Sequence, residues 1–273
     1  MRRVLTTMIA LALAATTAHA GTSAPGVSLN WDRCFGDGSV QYKQFACDAN
    51  VGSDRLVGTF ELAQDFAGVT GIEIGMDVGS LSNPLPAWWR VNFAGSCRTS
   101  GLTTTLAPPP GSIACTDWAG GQAAGGIAAY QIDTFSPNRA RLRLGTAVPA
   151  PIDLFAGQEY FQFTLNLGRS KTTGTGACAG CTDPVVIFLT SARLTPTTGP
   201  SLILNRGANY SGSQWVSWQN GYPTNVVLPP VCEFNPIIPN HCALNQTTFF
   251  TVLPYSVTPT RNSTWGQVKS LYR

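Results

Sequence analysis

The chain has 273 residues, of which 11% are charged and 44% hydrophobic, with 28 glycines, 19 prolines and a formal net charge of +3. A balance so near zero leaves no electrostatic footprint for nucleic acid or an acidic membrane surface. Few charges, many turn residues and a moderate apolar fraction describe a turn-rich all-β protein and exclude a disordered one.

Residues Met1 to Ala20 read as a secretory signal peptide: Arg2 and Arg3 form the charged start, Val4 to Ala15 is mostly apolar, and Ala18-His19-Ala20 is an A-x-A cleavage site. The apolar run is well short of the roughly 20 residues a membrane span needs. Cleavage after Ala20 and export are therefore expected, to the extracellular space, the bacterial cell surface or the periplasm, with no transmembrane span. Loss of Arg2 and Arg3 leaves 15 basic against 14 acidic residues. Residues 21–260 are expected to form one disulfide-stapled antiparallel β-sandwich, irregular over 200–260, and 261–273 a short tail.

All eight cysteines follow Ala20, and in an exported chain disulfides are their default state. Closeness in sequence across candidate turns predicts Cys34 with Cys47, Cys97 with Cys115, Cys178 with Cys181, and Cys232 with Cys242.

Val27 to Asp54 reads as a strand followed by a loop carrying Asp32, Asp37, Asp48 and Asp54. A hard cation needs several oxygen ligands, but the stretch lacks the spacing and terminal Glu of an EF-hand, so solvated turn carboxylates are expected and no metal. Leu56 to Leu62 and Ile72 to Val78 are strands. In the second, Glu73 and Asp77 share the face opposite Ile72, Ile74, Met76 and Val78. Four residues at about 3.3 Å each separate them by roughly 13 Å, beyond the roughly 5 to 9.5 Å of glycosidase carboxylate pairs. A hydrolase would need a partner carboxylate from another strand.

Pro84-Leu85-Pro86-Ala87-Trp88-Trp89 is the most distinctive local sequence. If extended, it points its two tryptophans to opposite faces, so one ring is expected to be exposed, ready to stack on a sugar ring or meet another protein. Trp118, Trp215 and Trp218 add to the aromatic supply, and Trp118 joins Trp88 and Trp89 as a candidate ligand-binding residue. Gly111 to Ala129 reads as a loop entering a close-packed strand, and Ile127 to Asp133 with Arg139 to Val148 as a hairpin around Ser136-Pro137-Asn138. Arg139, Arg141 and Arg143 share one face of that hairpin. Such a ladder can bind an anion or keep an exposed sheet soluble and its edge unpaired.

From Tyr160 to Leu167, apolar Phe161, Phe163, Leu165 and Leu167 alternate with Gln162, Thr164 and Asn166, the period of a strand with one buried face. Val185 to Leu189 is apolar on both parities, as in a strand covered on both faces. The loop between them holds Cys178-Ala-Gly-Cys181. Redox chemistry wants a helix N-terminus and a lowered thiol pKa, and zinc needs two more ligands, so a structural disulfide is expected. Paired alternating strands with the lead Ala156-Gly-Gln-Glu-Tyr-Phe161 resemble cohesin-type and carbohydrate-binding jelly rolls. That resemblance implies a sandwich and transfers no binding residues.

Ser201 to Asn205, Gln214 to Gln219 and Thr248 to Leu253 are short strand candidates. Asn209-Tyr-Ser, Asn245-Gln-Thr and Asn262-Ser-Thr match the glycosylation acceptor pattern. After cleavage the chain keeps one histidine, His241, beside Cys242, and has no G-x-S-x-G elbow for a serine triad. The ending Thr264-Trp-Gly-Gln-Val-Lys-Ser-Leu-Tyr-Arg273 resembles those of uncharacterised exported bacterial proteins and implies membership in a secreted family. Trp265, Val268, Leu271 and Tyr272 make one apolar stripe at helical spacing, which predicts a short docked helix.

These readings together predict a secreted, non-catalytic cell-surface, adhesion or structural β-sandwich without cofactor, whose partner is a glycan or another surface protein. A carbohydrate-binding module using an exposed tryptophan is the alternative, and a glycoside hydrolase the third reading. The sequence leaves the oligomeric state open.

Overall fold

The computed structural model describes residues 25–38, 40–204, 214–227 and 249–254. The signal peptide, the Cys232 and Cys242 pair, His241, the three acceptor asparagines and the tail residues Trp265, Val268, Leu271 and Tyr272 lie outside the described residues.

The strands are β1 (Gly26–Trp31), β2 (Tyr42–Lys43), β3 (Ser53–Glu61), β4 (Phe66–Ser80), β5 (Leu102–Thr105), β6 (Thr116–Asp117), β7 (Ala124–Ile132), β8 (Arg139–Leu154), β9 (Glu159–Gly168), β10 (Val185–Pro196), β11 (Leu202–Leu204), β12 (Trp215–Trp218), β13 (Gly221–Val227) and β14 (Phe249–Pro254). The first sheet has the order β1-β3-β9-β5, with β6 also on β9. The second runs β2-β12-β10-β4-β8-β7, with β11 on β10, and β13 pairs with β14. Apart from the short parallel contacts of β2 with β12 and β6 with β9, the pairings are antiparallel. The fold is thus the expected all-β antiparallel sandwich. No helix among the described residues is long and apolar enough to cross a membrane.

Period-two patterning places the core between the sheets. Ile72, Ile74, Met76 and Val78 of β4 pack with Leu142 and Leu144 of β8 and Val185, Ile187 and Leu189 of β10, facing Val27, Leu29, Leu56 and Phe60 of the first sheet. Each such side chain contributes about 1.5–3 kcal/mol by leaving water. The opposite parity of β10 is buried too: Val186 and Phe188 cluster with Trp215 and with Val252 of β14. Both faces of β10 are covered, as its unbroken apolar run predicts.

β9 departs from simple alternation. The register shifts between Gly58/Phe163 and Thr59/Phe161, so one extra residue of β9 bulges out. Phe163, Leu165 and Leu167 stay in the main core, while Phe161 turns to the outer face and packs with Val57, Cys34 and Cys115. Gly58 makes room for the inward ring, since a Cβ there would stand 2.1 Å from Phe163 Cε1. The polar parity is not wetted either, with Gln162 1% and Thr164 3% exposed.

The arginine ladder is only partly at the surface. Arg143 is exposed, but Arg139 and Arg141 are buried. β8 lies inside its sheet, between β4 and β7, and register puts Arg141 opposite Asp77, with Arg139 and Arg143 opposite Gly79 and Gly75. The two glycines leave lateral space, and Asp77 supplies the countercharge. Arg141, with Arg139 beside it, serves the sheet's internal charge balance, and Arg143 stays at the surface.

Among the described residues, the local disulfides expected from spacing, Cys34 with Cys47, Cys97 with Cys115 and Cys178 with Cys181, do not form. Cys34 bonds Cys115, Cys47 bonds Cys181, and Cys97 bonds Cys178, across separations of 81, 134 and 81 residues. Sequence proximity misled because sheet pairing, not the chain, sets neighbourhood. Cys178 and Cys181 sit in one loop but reach two different segments, so that loop staples both to the end of the sandwich.

Candidate functional site

Trp88 and Trp89 are not on a strand. They end a 3₁₀ turn, Ala87–Trp89, and at three residues per turn neighbouring side chains need not point to opposite faces. Both are core, 1% and 3% exposed, which corrects the expectation of one exposed ring. Their centroids lie 4.9 and 5.2 Å from Trp218, which stacks on Phe45 at 3.6 Å. Trp218 Nε1 donates to Cys181 O at 2.6 Å, tying the cluster to the disulfide loop. The Arg98 guanidinium lies 3.6 Å from the Trp88 ring and donates to Trp88 O at 2.7 Å and to Gly168 O. Burial pushes Arg98 down to about 10. Tyr130 donates its hydroxyl to Trp89 O at 2.6 Å, and burial pushes its phenol well above the usual range. With every ring face enclosed, this aromatic cluster holds the loops in place and offers no sugar platform.

Trp118 is also buried, 2% exposed, but it lines a cavity of about 410 Å³. That volume falls within the roughly 300–1,000 Å³ of small-molecule sites. One wall is β6 and the turn after it; the other is the end of β8 and the turn into β9. Asp117 shapes the first wall: its Oδ1 accepts from Ala119 N–H at 3.0 Å and its Oδ2 from Gly121 N–H at 2.6 Å. In the second wall Phe155 N–H donates to the Tyr160 hydroxyl at 2.8 Å, and Ala156 N–H to Asp65 Oδ1 at 2.8 Å.

The lining combines Trp118, Ile152, Leu154 and Phe155 with Gln122, Asp153, Gln158 and Tyr160. Phe155 is 60% exposed. Trp118 Nε1 is covered by protein and has no hydrogen-bond acceptor among the described residues. Tyr160 belongs to the stretch whose strand character dominates its reading in sequence, and Phe155, in the turn between β8 and β9, carries no sequence signal beyond being an aromatic beside Ala156-Gly157.

Three of the four candidate aspartates, and Glu73, are committed elsewhere. Asp32 pairs with Lys43 at 2.6 Å and Asp54 with Arg169 at 2.6 Å. Asp37 Oδ1 accepts from the Ile113 and Ala114 N–H groups. Cys34, Asp37 and Cys115 bring ligand-type atoms within 4.8 Å of one another, but the two sulfurs are joined in a disulfide and present no thiolate. Glu73 pairs with Arg193 at 3.6 Å.

No protein-family model matches the chain, and no curated protein does. Among solved structures the chain is similar to a cohesin module from a Clostridium perfringens family 33 glycoside hydrolase, at 11% identity and a TM-score of 0.33, with 72% of this chain and 94% of that one covered.

Proposed function

We propose that the chain is an exported, non-catalytic binding protein of the cell surface or extracellular space. The observation that carries this reading is how its ionic and sulfur groups are used. Glu73 and Asp77, the pair a hydrolase reading would start from, are each held in a salt bridge. Glu159 receives the Phe35 and Gly36 N–H groups on its two oxygens, at 2.8 and 2.9 Å. Six cysteines staple distant segments, a framework suited to an oxidising compartment. What the scaffold presents to a partner is shape and polarity, in the form of a preformed cavity.

Two measurements on the native protein test this: its distribution between cytosolic and extracytoplasmic fractions with thiol titration, and its activity on a panel of glycan, ester and peptide substrates. Recovery outside the cytosol, without titratable thiols at the six stapled positions and without turnover, is expected. A cytosolic protein with free thiols, or turnover of any of these substrates, would overturn the reading.

A further inference from the structure

We infer that the cavity between Trp118 and Phe155 is a carbohydrate subsite that takes a neutral pyranose. The inference rests on the reading of the chain as an exported binding protein and specifies where it binds and what.

An unused hydrogen-bond donor comes first. The Tyr160 hydroxyl accepts from Phe155 N–H at 2.8 Å, and its own proton has no acceptor among the described residues. Tyr160 is 5% exposed, and a donor so enclosed is costly to leave unpaired, so an occupant carrying acceptors is favoured over a purely apolar one. Trp118 Nε1 is covered by protein, so Trp118 contributes its ring to the wall and no donor to the occupant. Around Tyr160, the Gln122 amide and the carbonyl of Gln158, whose Nε2 already donates to Glu159 O at 3.0 Å, offer further hydrogen bonds, and the exposed Phe155 ring offers an apolar face.

Charge narrows the class. The lining contains the carboxylates of Asp117 and Asp153 and no Lys, Arg or His, which opposes a phosphate, a sulfate or an acidic glycan. The Asp117 oxygens are engaged in its turn, and Asp153 Oδ1 receives Gly68 N–H at 2.8 Å. Asp153 Oδ2 and the glutamine carbonyls remain as acceptors for ligand hydroxyls. A sugar ring answers all of these features: its oxygens accept from Tyr160 and the Gln122 amide, its hydroxyls donate to Asp153 and the glutamine carbonyls, and its carbon face covers Phe155. The walls are held by their own hydrogen bonds before any ligand arrives, which lowers the ordering cost of binding.

The test is binding of the full chain to an array of neutral and acidic glycans, followed by calorimetric titration of the best neutral binder. Phe155→Ala, Gln122→Ala and Val51→Ala, the last at a 78% exposed position outside the cavity lining, complete the set. A neutral glycan should bind, with about tenfold weaker affinity in Phe155→Ala and in Gln122→Ala, the size of one lost contact, and unchanged affinity in Val51→Ala. Because Phe155 is exposed, its variant should melt with the wild type, so a loss of binding there is not a loss of fold. Binding of acidic glycans alone, of no glycan at millimolar concentration, or of a neutral glycan with undiminished affinity in Phe155→Ala would each overturn the assignment. Those results would leave the exported binding protein standing if the chain is extracytoplasmic and its six stapled cysteines oxidised; a cytosolic, thiol-bearing chain would remove that broader reading as well.

Discussion

Asp77 and Arg141 form a buried bidentate ion pair across β4 and β8: Nε donates to Oδ1 at 2.8 Å and Nη2 to Oδ2 at 3.1 Å, with both side chains 3% exposed. Asp77 also acts electrostatically on Arg139, whose guanidinium is lowered by burial and raised by that carboxylate. Removing the anion leaves buried positive charge uncompensated, which costs about 3–5 kcal/mol, whereas replacing both partners of such a pair by apolar residues is often neutral. Asp77→Asn should therefore lower the urea midpoint sharply, and Asp77→Leu combined with Arg141→Leu should recover part of the loss. A single variant as stable as the wild type would show the pair to be dispensable.

That pair also marks where sequence reading stops. The parity that set Ile72, Ile74, Met76 and Val78 inward was legible, because a two-residue period has only two registers. That Asp77 meets Arg141 depends on β4 and β8 being neighbours, which no local pattern encodes. Phe161 escaped its parity through a single bulge, and Trp88 and Trp89 escaped theirs through a 3₁₀ turn. The disulfides failed for the same reason as the ion pair, since each joins segments that only sheet order brings together. Trp118 was legible as a candidate by residue type, while Tyr160 was hidden in a strand lead and Phe155 sits just before it with no pattern to mark it.

Arg98 is buried with no carboxylate partner among the described residues; it is held by the Trp88 and Gly168 carbonyls and the Trp88 ring. Truncation to Ala would strand two carbonyls and open space beside the ring. We expect Arg98→Ala to destabilise by about 2–4 kcal/mol, with Arg98→Lys intermediate because an ammonium cannot reproduce the planar fork. Chemical denaturation followed by tryptophan fluorescence reads this directly. Equal stability of Lys and wild type would argue that charge alone, not the fork and its stacking, holds the loop.

Cys178 and Cys181 bond to different partners, Cys97 and Cys47. Non-reducing peptide mapping should recover the Cys178-Ala-Gly-Cys181 segment joined to two other peptides at once. A bond between Cys178 and Cys181 would contradict the arrangement. The paired change Cys47→Ser with Cys181→Ser releases a closure spanning 134 residues and should cost about 2–5 kcal/mol, mainly by freeing the unfolded chain. Cys97→Ser with Cys178→Ser should cost a comparable amount, because loop-closure entropy grows only slowly with length.

Glu61 faces Glu159 across β3 and β9, and it is buried, at 6% exposure. Burial first, then the neighbouring carboxylate, pushes the Glu61 pKa above its ordinary value. The folded chain therefore holds a proton on Glu61 at pH values where the unfolded chain has released it. By linkage, the resulting stability is fully present below the unfolded value of about 4.3 and is lost as pH rises through the folded pKa. Glu61→Gln carries no such titration. Relative to wild type, the variant should gain stability as pH is raised from about 4 towards neutrality, where the wild type must keep a charged carboxylate buried beside Glu159. Denaturation midpoints of both proteins over that range give the comparison. A variant that instead lost ground as pH rose would mean that the ionised Glu61 is stabilised in the fold, reversing the sign of the argument.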